Sequence, residues 1–163
     1  MKKSLAVLVL TLITILLVFM IYYIIQNPYA KEKSITQLPE FDLVDCDGNL
    51  YSKGDFCNSK IMVFYNTECD YCLDEIHSLV TNIEELKGYD VIFITTKNSD
   101  HSLMLSNSYI HPRIFFLYDN NEVLKNKLGA VNNPTIFIFA TSNKLDKRYN
   151  GALPISTLLD EIN

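Results

Sequence analysis

The chain has 163 residues, 48% of them hydrophobic and 12% aromatic, with 14 Lys and Arg against 19 Asp and Glu for a net charge of −5. That is enough apolar material for one domain of ordinary size plus an appendage, and it excludes a disordered chain. The acidic balance argues against nucleic acid and anionic membrane surfaces as partners.

Leu5 to Ile25 is an apolar run without a charge, preceded by Lys2 and Lys3. At about 1.5 Å per residue such a run reaches across a ~30 Å hydrocarbon layer. Residues 5–25 are therefore expected to be a transmembrane anchor, with residues 1–4 in the cytoplasm. A cleaved signal peptide competes with this reading, but its apolar stretch is normally about 7 to 15 residues long and ends in a small-x-small site. Pro28-Tyr29-Ala30 matches that site poorly. Tyr22 and Tyr23 suit the far interface, and Lys2 and Lys3 favour a cytoplasmic N-terminus, although Lys31 and Lys33 weaken the asymmetry. The expectation is a single-pass membrane protein whose domain lies outside the cytoplasm. Four cysteines in such a compartment suit disulfide chemistry.

Residues 26–40 are polar, include Pro28 and Pro39, and read as a linker to a domain over 41–163. Phe41-Asp42-Leu43-Val44, the turn Asp47-Gly48-Asn49 and Leu50-Tyr51 predict a short hairpin. Ile61 to Tyr65 has the β-branched and aromatic content of a buried strand, and Leu73, Ile76, Leu79, Val80, Ile83 and Leu86 then repeat at helical spacing. Asp74, Glu75, Glu84 and Glu85 read as the solvated face of that helix. Gly88 stops it, and Asp90 to Ile94 is a second buried strand, so the strand, helix, strand unit predicts parallel pairing. A helix capped by Ser99 is expected to Ser108, with Leu103 and Met104 inward, followed by a strand at Ile114 to Tyr118. A short helix from Asn121 to Leu128 ends at Gly129. Asn132-Asn133-Pro134 leads into a strand at Thr135 to Phe139, paired in a hairpin with residues near Arg148-Tyr149. Pro154 opens a terminal helix carrying Ile155, Leu158, Leu159 and Ile162.

Cys69-Asp70-Tyr71-Cys72 falls where the first buried strand hands over to the helix. A helix start offers unpaired N–H groups and a positive dipole end to a thiolate, and the i, i+3 spacing brings the second sulfur onto the first. In that context a Cys-x-x-Cys is a redox dithiol. No cofactor is called for. His77, His101 and His111 are scattered and make no spaced set with the cysteines, so no metal site is expected. Cys46 and Cys57, before and after the second strand of the hairpin, are candidates for a structural disulfide, with free thiols or an electron relay to Cys69 as alternatives.

The order of elements resembles the thioredoxin-like fold with an N-terminal β-hairpin extension, and more narrowly the membrane-anchored, extracytoplasmic thiol-disulfide oxidoreductases of the TlpA/ResA-like redoxin group. The resemblance covers about Phe41 to Ile162 and is carried by Phe41-Asp42-Leu43 with Asp47-Gly48, by Phe64 to Cys72, by Asn133-Pro134-Thr135 and by Tyr149-Asn150-Gly151. It implies that Cys69 is the nucleophile, that Cys72 resolves the mixed disulfide, and that Pro134 is a cis proline beside the dithiol with Asn133 facing the substrate. The implied partners are protein thiols or disulfides and an upstream redox partner, which a membrane-embedded donor would suit. Three features depart from the family pattern. The chain has no Trp, and Glu68 stands where an aromatic residue often precedes the first cysteine. Val63 occupies the strand position of a buried carboxylate, leaving no evident proton acceptor for Cys72. Glu68 and Asp70 flank Cys69, with Tyr71 between the cysteines, and the two acids oppose the helix dipole. These modulating residues predict a reductant or a moderate-potential exchanger rather than a strong oxidant. A thioredoxin-fold copper-delivery module is an alternative, although such proteins space their cysteines one residue wider. A peroxiredoxin-like peroxidase is another, but it wants Thr-x-x-Cys, and Thr67 is two residues from Cys69.

Overall fold

The computed structural model describes the backbone of residues 2–26, 35–96 and 110–162, and the side chains of the same residues except 2–9 and 24–26. The chain divides into two compact units, Met1–Ser34 and Ile35–Asn163. The first contains helix α1, Lys2–Gln26. Among the described residues no helix is long and apolar enough to cross a membrane. The expected helix from Ser99 to Ser108 lies outside the described residues.

The second unit is built on a seven-stranded sheet in the order β2-β1-β5-β4-β3-β6-β7. Its strands are β1 (Asp42–Val44), β2 (Leu50–Ser52), β3 (Ser59–Phe64), β4 (Tyr89–Thr95), β5 (Ile114–Tyr118), β6 (Thr135–Phe139) and β7 (Leu145–Asn150). β3, β4 and β5 run parallel, whereas β6 and β7 on one side and β1 and β2 on the other are antiparallel. The pattern follows from composition. β3, β4 and β6 are near-continuous runs of branched and aromatic residues, which fit a sheet covered on both faces. Alternation splits them between two cores. Ile61, Val63, Val91, Phe93, Ile136 and Ile138 face one layer, and Met62, Phe64, Ile92, Ile94, Phe137 and Phe139 face the other.

The first layer is covered by α2 (Asp70–Thr81) and α4 (Ile155–Ile162), which contribute Cys72, Ile76, Leu79 and Leu158. The second lies under α3 (Val123–Leu128) and the hairpin, through Leu124, Leu128, Leu43 and Phe56. α2 ends five residues short of Leu86, the end that hydrophobic spacing predicts, because Asn82 caps it: the Asn82 Nδ2 donates to the Ser78 carbonyl at 2.8 Å. Ile83 and Leu86 stay buried from a run of tight turns that closes at Gly88, whose φ of +81° favours glycine.

The expected linker also ends earlier than residue 40. Leu38 is buried, Gln37 bridges Lys144, and the Leu38 N–H donates to the Asn143 carbonyl at 2.8 Å, so residues 35–40 belong to the second unit. The physical reason is that Ile35 and Leu38 pack on the second core despite their polar neighbours.

Leu79 is fully buried on the face of α2 that presses on the sheet. Leu79→Ala is expected to cost about 3 kcal/mol, read as a lower urea midpoint at unchanged slope. A loss below about 1 kcal/mol would mean that α2 does not depend on this contact.

Candidate functional site

β3 ends at Phe64, and the chain stays tied to the sheet for one more residue through the Tyr65 N–H, which donates to the Ile94 carbonyl at 3.0 Å. A turn then forms on Asn66. Its carbonyl accepts the Cys69 N–H at 3.2 Å, and its side-chain Oδ1 accepts the Glu68 N–H at 3.0 Å. Cys69 emerges as the N-cap of α2 in extended conformation, half-buried, while Cys72 in the first turn is fully buried. Both are free thiols. Glu68, Asp70 and Tyr71 are exposed around them, Tyr71 at 73%.

The second wall comes from β6. Its antiparallel register, Phe64 opposite Thr135, brings the preceding residues beside the turn after β3. The Asn133–Pro134 peptide bond is cis. The Asn133 carbonyl lies 3.8 Å from the Cys69 Sγ, which donates to it. The Pro134 carbonyl is taken by the Gly151 N–H at 2.8 Å, and the Thr135 hydroxyl donates to the Asn132 carbonyl at 2.6 Å. Cys69, Cys72, Asn133 and Pro134 therefore meet at one end of the sheet.

The two sulfurs are not equivalent. Burial pushes the Cys72 thiol up to about 12, with the neighbouring Cys69 thiol and Glu75 adding to the rise and the Asn66 N–H opposing it. Cys72 is held as a thiol, and a partner must take its proton before it can react. Val63 cannot do so. Glu75 can, and it corrects the expectation that this acid lies on a solvated face. It is 3% exposed; its Oε2 accepts the Leu153 N–H at 2.8 Å, and its Oε1 has no hydrogen-bond partner among the described residues. Burial raises its pKa above the ordinary 4.5, the Leu153 N–H opposing. The signal was in the spacing: Glu75 is three residues after Cys72 and next to Ile76, so all three share the inner face of α2. Tyr65 was also missed. It is buried, and burial raises its hydroxyl pKa, with the nearby ionisable groups of Tyr118 and Cys72 adding to the rise.

Cys46 and Cys57 are both free and exposed. Their surroundings differ. Cys46, in the turn after β1, lies near enough to raise the pKa of Tyr118, which burial raises first, at the C-terminal end of β5. Cys57 neighbours Lys60, opposite Asp90 near the start of β4. His77 is exposed, His111 pairs with Glu84 at 3.3 Å, and His101 lies outside the described residues. Among the described residues no group of three or more His, Cys, Asp or Glu could hold a metal ion.

A helix N-terminal Cys-x-x-Cys beside a cis proline, at one end of a five-strand core with two flanking strands, is the arrangement of the thioredoxin-like fold. The AhpC/TSA family model matches residues 35–148, and the chain belongs to that family. A search of the curated proteins finds no match. Among solved structures, the exposed lipoprotein thioredoxin Etrx1 of Streptococcus pneumoniae is 21% identical over 75% of this chain and 96% of its own, with a TM-score of 0.60. A thio-disulfide isomerase from Thermus thermophilus is 20% identical over 78% and 92%, with a TM-score of 0.61. Arabidopsis thaliana ScoI, solved with copper bound, is 19% identical over 76% and 94%, also at 0.61. At these identities the likeness establishes the fold.

The raised pKa of Glu75 has a stability signature. Between 4.5 and the higher value in the fold, the native state holds a proton that the unfolded chain releases, so stability falls as pH rises through that window. Glu75→Gln removes this loss while keeping an acceptor for Leu153. The variant should unfold at higher urea than wild type at pH 8, and the gap should close by pH 4; a pH-independent gap would contradict a buried, proton-binding Glu75.

Proposed function

We propose that the protein is a thiol-disulfide oxidoreductase that exchanges disulfides with protein substrates through Cys69 and Cys72. The observation that carries the reading is the pairing of a rim sulfur, Cys69, beside the Asn133 carbonyl, with a fully buried sulfur one helical turn away. In the reducing direction the Cys69 thiolate attacks a substrate disulfide and displaces one substrate thiolate. Cys72 then gives its proton to Glu75 and attacks the Cys69 sulfur. The second substrate sulfur leaves and takes up a proton, so the substrate gains two electrons and the protein is left with a 69–72 disulfide. An upstream dithiol donor restores the reduced pair. Asn133 and Pro134 form the edge along which an extended substrate backbone lies, and Tyr71 supplies exposed apolar surface beside it.

The same reading puts the domain outside the cytoplasm on a membrane tether. It is supported by the charge-free run from Leu5 to Ile25 and by the exposed apolar side chains within it, such as Leu12, Ile13, Leu16, Leu17 and Phe19. The assigned direction is a reductant or moderate-potential exchanger, and Glu68 and Asp70, both exposed on either side of the first cysteine, are the residues that modulate it.

The full chain should reduce insulin with dithiothreitol as donor, and Cys69→Ser and Cys72→Ser should each lose at least about 90% of that activity. Equal turnover by wild type and both variants would defeat the exchange reading. Equilibration with glutathione should give a potential well below that of a strong oxidant at about −120 mV. A value near −120 mV would overturn the assigned direction.

A further inference from the structure

A cavity of about 120 Å³ opens at the same end of the sheet as the dithiol, lined by Asn66, Thr96, Asp119, Glu122, Lys125 and Asn133 among others. Two of these residues are also the supports of Cys69: Asn66 accepts its N–H and Asn133 its thiol. A group seated in the cavity is therefore within a few residues' reach of a sulfur bonded to Cys69. The volume takes the end of one side chain and no folded element.

The opposite wall is built unusually. Glu122 has φ 54°, ψ 32°, a left-handed conformation disfavoured for a residue with a Cβ, and Asn121 before it has φ 62°. The turn is pinned by Asp119, which is 3% exposed and whose two carboxylate oxygens accept the N–H groups of Leu124 at 3.1 Å and Lys125 at 2.7 Å. The Glu122 N–H also donates to the Asp119 carbonyl at 3.1 Å. Capping α3 accounts for Asp119. It does not account for a glutamate at the left-handed position, where glycine would be less strained. What that backbone achieves is the placement of the Glu122 carboxylate at the cavity wall, with its Oε1 accepting from Lys125 Nζ at 2.7 Å.

The lining carries two carboxylates, Asp119 and Glu122, against the one ammonium of Lys125. Glu68 and Asp70, on either side of Cys69 in the chain, are both exposed and add to the acidic surroundings of the site. Net negative charge and amide acceptors, in a lining that shares Asn66 and Asn133 with the supports of Cys69, select a cation. We propose that this cavity is a specificity subsite of the exchange reaction and that it takes a Lys or Arg side chain of the substrate protein, carried close in sequence to the cysteine that meets Cys69. This inference rests on the exchange reading above.

Three peptides test it, each with one cysteine bonded through a disulfide to 5-thio-2-nitrobenzoate and with Lys, Gln or Glu on the two positions at either side. The reduced full chain carrying Cys46→Ser and Cys57→Ser, in neutral detergent, is mixed with each, and the second-order rate constant is read from release of the coloured thiolate. At low salt the Lys peptide should react about tenfold faster than the Glu peptide, with Gln between, and the ratio should fall to twofold or less at 1 M salt, where the screening length is about 3 Å. Glu122→Gln should cut the Lys-to-Glu ratio about fivefold, and Lys125→Met, which releases the Glu122 carboxylate, should raise it. Misfolding would lower all rates together and could not move the two ratios in opposite directions. An unchanged ratio in Glu122→Gln would assign any preference to the acidic surface at large and overturn the subsite. Equal rates for the three peptides on the wild-type chain would overturn it too, leaving exchange intact. No reaction with any peptide would sink the exchange reading and the subsite with it.

Discussion

Helix α2 can press only one face onto the sheet, and that constraint makes the two sulfurs different. The face that carries Ile76 and Leu79 into the first core also carries Cys72 and Glu75. Cys69, as the N-cap, lies just outside the helix and is only half-buried. One thiol therefore meets solvent and substrate, while its partner is kept dry and protonated. Chemistry at such a pair is sequential, because the buried sulfur cannot compete for the first attack. The register between β3 and β6 supplies the rest by delivering Asn133 and Pro134 to the same end of the sheet.

Glu75 is expensive on stability grounds alone. A buried carboxyl with one oxygen on a backbone N–H and the other without a partner among the described residues would be replaced advantageously by an apolar residue of similar size. Its position one turn beyond Cys72 gives the cost a use. As a proton acceptor with a raised pKa it matches the raised pKa of Cys72 better than an exposed glutamate would, since transfer between the two is then less uphill. On the exchange reading proposed above, Glu75 takes from the helix the role that a carboxylate at Val63 would have taken from the strand.

Much of the fold was legible. The strands at Ile114–Tyr118 and Thr135–Phe139 read directly from their apolar runs, and the hairpin read from Asp47-Gly48-Asn49. The dithiol at a helix start was legible for the same reason, since the change from strand to helical spacing falls at Cys69. What escaped were features that depend on three-dimensional neighbours. Glu75 looked like Asp74 beside it and the other acids of that stretch, and only its phase relative to Cys72 and Ile76 distinguished it. Residues 35–40 looked like linker because two apolar side chains among polar ones do not announce a docking site. The left-handed Glu122 has no sequence signal, since that conformation normally announces itself as Gly or Asn.

The central claim is the division of labour between the sulfurs, and trapping tests it most directly. In a chain already carrying Cys46→Ser and Cys57→Ser, the Cys72→Ser variant, mixed with a disulfide-containing protein such as insulin and quenched with acid, should accumulate a mixed disulfide on Cys69 by intact mass. Cys69→Ser, treated alike, should accumulate at least about tenfold less. Comparable trapping on Cys72 in the Cys69→Ser variant would contradict the account, because a buried thiol would then be attacking as readily as the one at the rim.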